Sequence, residues 1–171
     1  KAKELKQLGG LIEAVPDLAG MVSAGRLQIS SDKVQIYHNR RPETDARYLM
    51  ITQNPSNGRA DIPFHFTLPL AGSSYRIPSS GDMRLNGFDA KWLVANAEIG
   101  GQRLVYSTSE VQTALRIDGS DLMLLYGRKG EEGETAFRFA SEPRVRVIEG
   151  QATFRWDASR GDLVLNYPHS G

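Results

Sequence analysis

Arg26-Leu27-Gln28-Ile29-Ser30-Ser31-Asp32-Lys33-Val34-Gln35-Ile36-Tyr37-His38 alternates apolar and polar residues in two runs, separated by the turn-forming pair Ser31-Asp32. A period of two sends successive side chains to opposite faces, the signature of a strand with one face buried. The same pattern recurs to the end of the chain. Tyr48 to Thr52, a turn at Asn54-Pro55-Ser56-Asn57-Gly58 and Ile62 to Leu68 read as a second hairpin. Further β-rich runs are Arg103-Leu104-Val105-Tyr106, Leu122-Met123-Leu124-Leu125-Tyr126 and Ala136-Phe137-Arg138-Phe139. Between such runs stand Asn86-Gly87, Gly100-Gly101, Asp118-Gly119, Gly130 to Gly133 and Arg160-Gly161. Several of these pairs reach positive φ at little cost, as two-residue hairpins demand. The expectation is an all-β fold of a dozen or more short antiparallel strands.

Upstream the period changes. In Lys3 to Val15, apolar Leu5, Leu8, Leu11, Ile12 and Val15 fall on one helical face, and Pro16-Asp17 ends the pattern. Gly9-Gly10 costs such a helix about 1 kcal/mol per glycine, so it needs something to pack against. Leu5, Leu8, Ile12 and Val15 are therefore the expected inter-domain packing residues of a docking or linking helix. The chain opens on Lys1 with no signal-like apolar stretch, which suggests a processed piece of something larger.

Composition narrows the function classes. The 171 residues carry 21 Lys plus Arg and 20 Asp plus Glu, a formal net charge of +1. That balance lacks the basic excess of a nucleic-acid binder. With no cysteine there is no disulfide framework and no thiolate metal site. No apolar run approaches the roughly 20 residues of a membrane span.

The candidate chemistry is sparse. Glu131-Glu132-Gly133-Glu134 reads as a solvated hairpin tip. Asp82, Asp89, Asp118, Asp121 and Asp162 lie beside or near glycine or asparagine and read as turn formers. His38, His65 and His169 lack the close spacing of a metal site, and His65 is expected on the polar face of its strand between inward Phe64 and Phe66, or the reverse. Ser107-Thr108-Ser109-Glu110 lies in no nucleophile elbow and is expected to face solvent or cap a strand end. Trp92 and Trp156 read as core residues, although exposed aromatics could instead form a sugar-binding platform. Arg160-Gly161-Asp162 matches an adhesion tripeptide but is also a ready hairpin turn. No catalytic, metal-binding or cofactor-binding residue is assigned. A scaffold of this kind should hold no water-shielded couple of acids.

Three stretches stand in order along the chain: Leu85-Asn86-Gly87-Phe88-Asp89-Ala90-Lys91, Leu104 to Val111, and Leu124-Leu125-Tyr126-Gly127 running to Gly130-Glu131. Together they resemble the second domain of the β-galactosidases of glycoside hydrolase family 35, whose members carry similar LNGRDSK, LLYSTAEV and VLYGGxGE stretches. The opening Glu4 to Ala14 with Pro16-Asp17-Leu18 is similar to the helix that leaves the catalytic barrel in those enzymes. Phe88 stands where arginine is usual, and Arg128 where a second glycine is common.

The resemblance implies three segments: residues 1–20 as a link from a preceding barrel, 21–80 as an N-terminal β-hairpin part, and 81–171 as an immunoglobulin-like β-sandwich part. It implies a non-catalytic accessory domain within an enzyme that hydrolyses terminal β-galactosyl residues with retention. The two glutamates of that reaction, about 5–5.5 Å apart, belong to the barrel, and none is carried onto this chain. The implied partners are the barrel and other domains of the same parent. Galactoside is met only through that parent, and neither a cofactor, a nucleic acid nor a membrane is implied. The sequence leaves the compartment open, a periplasmic or secreted parent being compatible with the resemblance. The rival readings are a carbohydrate-binding module with an aromatic platform and an adhesion-type interaction module.

Overall fold

The computed structural model describes residues 20–70 and 72–170. The helix expected over residues 3–15, with Leu5, Leu8, Ile12 and Val15, lies outside the described residues. Among the described residues there is no helix, and hence none long and apolar enough to cross a membrane. Fifteen strands form instead among these described residues. The first five are β1 (Val22–Ser23), β2 (Gln28–Ile29), β3 (Val34–Arg40), β4 (Arg47–Gln53) and β5 (Asp61–Phe64). Next come β6 (Phe66–Leu70), β7 (Ser73–Ile77), β8 (Met83–Asn86), β9 (Ala90–Ile99) and β10 (Gln102–Ser107). The last are β11 (Glu110–Ile117), β12 (Ser120–Tyr126), β13 (Glu132–Arg138), β14 (Thr153–Asp157) and β15 (Asp162–Pro168).

Every pairing is antiparallel, as sequential hairpins require. Eight strands make one sheet in the order β1-β3-β4-β9-β10-β13-β15-β14. Three smaller sheets, β2-β6-β7, β5-β8 and β11-β12, accompany it. The first core joins Ile36, Ile51, Leu93 and Val164 of the large sheet to Phe64, Phe66, Leu68, Ile77 and Leu85 of the β2-β6-β7 and β5-β8 layers. A second core lies on the opposite face, where Tyr48, Val94 and Leu104 meet Val111, Met123 and Leu125 of the β11-β12 hairpin. The β4-β9 ladder, Arg47↔Ala95 to Thr52↔Ala90, joins residues on either side of position 80 in one sheet.

The glycine-pair turns behave as their chemistry requires. Gly100 and Gly101 (φ 61° and 78°) close β9 on β10, and Asp118 and Gly119 (φ 49° and 79°) close β11 on β12. Two expected hairpins do not form. β2 pairs with β6 rather than β3, because Ser31-Asp32 supplies no positive-φ residue to fold the chain back within one sheet. β4 and β5 also part company, β5 pairing with β8. Here the Gln53 amide donates to the Ala60 and Gly87 carbonyls, both at 2.7 Å, and pins the intervening loop between layers.

The tryptophans are a correction. Trp92 is 38% exposed and Trp156 half-buried, so neither is a core residue. Trp92 pairs across β4 with Met50, which pairs in turn with exposed Tyr37 on β3. This row lies on the second face, one step beyond Tyr48 and Val94, where the cover of the β11-β12 hairpin ends. Trp156 sits on β14, the last strand of the sheet, and lacks a neighbour on one side.

Candidate functional site

β13 carries the polar residues of interest because its period of two splits them between the cores. Ala136 belongs to the first core and Phe137 packs on the second. Glu134 and Arg138 therefore share the first face with Ala136, while Gly133 and Thr135 share the second with Phe137. The expected hairpin tip over Gly130 to Gly133 is shorter than the sequence suggests, since the strand already begins at Glu132.

On the first face two carboxylates are buried, Glu134 at 3% exposure and Asp162 at 1%. Glu134 Oε1 accepts from the Ser79 backbone N–H at 2.6 Å and the Tyr106 hydroxyl at 2.9 Å, and Oε2 accepts from the Ser79 hydroxyl. Asp162 Oδ1 accepts from Arg138 Nε at 2.9 Å and Oδ2 from the Tyr75 hydroxyl at 2.7 Å. The Tyr75 and Tyr106 rings meet edge to face at 5.8 Å, which links the two acids. Burial raises the Tyr106 phenol far above its ordinary range, with the neighbouring Glu134 charge as the second cause. Burial likewise raises Tyr75, assisted by its bond to Asp162. Both phenols stay protonated donors.

Beside this pair opens a cleft of about 280 Å³, lined among others by Tyr75, Ser79, Tyr106, Arg155, Asp157 and Asp162. Arg160 closes one side, its guanidinium 4.6 Å above the Tyr75 ring. The scaffold expectation of no shielded acids is thus corrected. The acids are shielded because donors on β7, β10, β13 and the segment after β7 fill them. All four carboxylate oxygens already accept from protein donors, a fastener between layers rather than a proton shuttle.

The rest of the acidic cluster is also less solvated than expected. Glu131 accepts two bonds from Lys91 Nζ, each 3.0 Å, and one from the Arg128 N–H at 3.1 Å. Glu132 alone is exposed. Asp89 is buried against the Arg128 guanidinium, while Phe88 is 67% exposed under the Arg59 guanidinium at 4.5 Å. The two departures from the family pattern are therefore both anchored by ionic or cation–π contacts.

On the second face runs a ladder of hydroxyls that the sequence did not reveal. Ser107 Oγ meets Thr135 Oγ1 at 2.9 Å, and Thr135 Oγ1 meets the Tyr167 hydroxyl at 2.6 Å. Tyr167 meets Ser109 Oγ at 3.0 Å, and Ser109 Oγ meets His169 Nε2 at 2.8 Å. Ser107, Thr108 and Ser109 are thus buried, correcting the solvent-facing expectation, though they do lie at the end of β10. Burial lowers the His169 pKa, so the imidazole is neutral near pH 7, and the Ser–His spacing is that of a nucleophile and base. Ser109, however, is only 2% exposed. A Cβ added at Gly133 would run into the Tyr167 ring and Ser109 Oγ, so the packing leaves no space for an acyl group. The ladder ties β15 to the β10–β11 turn.

The other histidines each contact a charged neighbour. His65 is half-buried between buried Phe64 and Phe66, as expected, with Nδ1 2.7 Å from Asp82. His38 is buried with Nε2 3.2 Å from Arg47, and burial lowers its pKa. Among the described residues no group of three His, Cys, Asp or Glu side chains is placed to hold a metal ion. Arg160-Gly161 ends the β14–β15 turn, and Asp162 opens β15 as a buried residue.

Comparison with known proteins places this geometry. Residues 18–171 match the family model for β-galactosidase, domain 2. Over 169 residues the chain is 29% identical to the probable β-galactosidase A of Aspergillus fumigatus, covering 96% of this chain and 16% of that protein. It is 24% identical over 173 residues to the probable β-galactosidase B of Penicillium rubens, covering 99% of this chain and 17% of the relative. The β-galactosidase A of Aspergillus oryzae is 27% identical over 124 residues, 72% of this chain and 12% of that protein. The chain therefore spans about a sixth of the length of the first two of these curated relatives. On a match covering nearly all of its length, the chain belongs to the β-galactosidase domain 2 family.

Proposed function

We propose that the chain is an accessory structural domain of a multidomain β-galactosidase that cleaves terminal β-galactosyl residues with glutamates lying outside these 171 residues. The observation that carries this reading is the coverage: a near-complete match to domain 2 that spans only 16% of a full-length relative. The buried acids support it, since each is filled by donors that join one layer to another. Residues 1–20 serve as the link from the barrel, with Leu5, Leu8, Ile12 and Val15 as packing residues against it. Strands of the 81–171 segment make up an immunoglobulin-like part in this reading. The test is a chromogenic galactoside assay on the purified chain and on its full-length parent. The parent turns substrate over and the chain alone does not; turnover by the chain would overturn the proposal.

A second reading rests on the corrected tryptophan. Tyr37 and Trp92 flank Met50 on an outward face, 51% and 38% exposed, about 10 Å apart across two strand spacings. Aromatic faces at such a distance can stack on successive sugar rings. A saturable change in tryptophan emission on titration with galactose or a galactan, lost in Trp92→Ala, would favour it.

A further inference from the structure

The β11-β12 hairpin is apolar on both faces. Its inner side sets Ala114 opposite Met123 and Val111 opposite Leu125, all packed on the second core. Its outer side carries Leu115 opposite Leu122, with Ile117 and Leu124 on the same face by the period of two. These four are 48%, 43%, 51% and 44% exposed. A two-stranded hairpin covered on one side is marginal by itself, and a strand normally turns polar residues to water. Here the charged residues Arg116 and Asp121 alternate onto the inner side near the tip, where they pair at 3.9 Å, and the outer face carries the four aliphatics with only the small hydroxyl residues Thr113 and Ser120 beside them.

We propose that the outer face of this hairpin, centred on Leu115 and Leu122, is the seat of another domain of the parent chain. The inference rests on the reading of the chain as one domain of a larger enzyme. The length of polypeptide outside the chain supplies the occupant, since the chain accounts for only 16% of a full-length relative. The area argues against a second copy. Four half-exposed aliphatic side chains offer on the order of 300 Å², enough to mark an interaction patch. A stable dimer buries about 800 Å² on each partner. A domain tethered in the same chain needs less, because the link supplies a high effective concentration. The hairpin is then a middle layer, with its inner face on its own sheet and its outer face on a neighbour.

The test uses the full-length parent carrying Leu122→Cys, with Leu115→Cys as a second variant on the opposite strand. The chain has no cysteine of its own, so alkylation is read by mass spectrometry of the hairpin peptide. Alkylation in the native parent should be roughly a hundredfold slower than in the urea-unfolded parent, and independent of protein concentration. Rates within a few-fold of each other would overturn the proposal. So would protection that disappears on dilution, which would assign the face to a second copy. Galactoside turnover by the same parent is assayed alongside. An active parent with a reactive hairpin thiol sinks the interface alone, whereas an inactive parent sinks the enzymatic reading and leaves the labelling result to stand.

Discussion

Glu134 shows how an acidic residue that reads as solvated in sequence can lie buried in space. Beside Glu131 and Glu132 it looks like one more surface charge, yet its carboxylate is buried and takes three donors from Ser79 and Tyr106. Glu134→Gln keeps the shape but turns an NH₂ group toward donors. With the charge-assisted bonds weakened and donors facing a donor, stability should fall by about 2–3 kcal/mol, read as a lower urea midpoint at unchanged m-value. A loss of under about 0.5 kcal/mol, the range of a surface substitution, would show that the carboxylate is not a fastener. Its neighbour Gly133 is constrained differently. Its backbone φ is ordinary, but an added Cβ would meet the Tyr167 ring, which Thr135 and Ser109 hold in place by hydrogen bonds. Gly133→Ala should cost about 1–3 kcal/mol through overpacking, and Tyr167→Phe in the same background should not restore it, because the ring remains.

At the scale of elements, what was legible in the sequence is what local chemistry decides. The β-runs and the pairs Gly100-Gly101 and Asp118-Gly119 could be read because side-chain period and positive φ are properties of a few adjacent residues. Which strand pairs with which was not legible. β2 leaves its neighbour β3 for β6 because the layer that buries it is assembled later in the chain. The buried site was hidden for the same reason: Ser79 reaches Glu134 across 55 residues, and Ser109 reaches His169 across 60. Trp92 was misplaced because alternation gives a face but not the extent of its cover. The β11–β12 turn offers a test of local chemistry without packing, since nothing lies within 4 Å of a Cβ built on Gly119 while its φ is +79°. Gly119→Ala should therefore cost about 1 kcal/mol from backbone strain alone. The loss should show as faster amide exchange confined to β11 and β12, with the large sheet unchanged. Loss of protection throughout the sheet would mean that the hairpin nucleates the second core.

For the whole molecule the buried imidazoles set a pH dependence. His38 and His169 both titrate below their ordinary value of 6.5 in the folded chain, burial being the largest cause for each. Around His38, Arg47 adds to the lowering and Asp45 opposes it. Around His169, Lys91 lowers the value while Glu131 and Glu132 raise it. At pH 7.5 both rings are neutral in the folded and unfolded states, so neither contributes a slope. As the pH falls through 6.5 the unfolded chain takes up protons that the folded chain resists, unfolding becomes proton-binding, and stability drops. Glu110 works in the opposite sense. Burial raises its carboxyl, so folding is favoured as the pH falls through that raised value, and the Glu110 contribution offsets part of the histidine loss at the acid end. The urea midpoint should therefore be lower at pH 5.5 than at pH 7.5. In His169→Gln, which keeps a polar side chain beside Ser109 without a titrating group, the difference should narrow. In the double variant with His38→Gln it should narrow further. Carboxylates held low by their partners, such as Asp61 and Asp157, stay ionised across this window and contribute only at more acid pH. A difference that both variants leave unchanged would show that neither imidazole sets the acid sensitivity. The buried polar seam would then play no part in it.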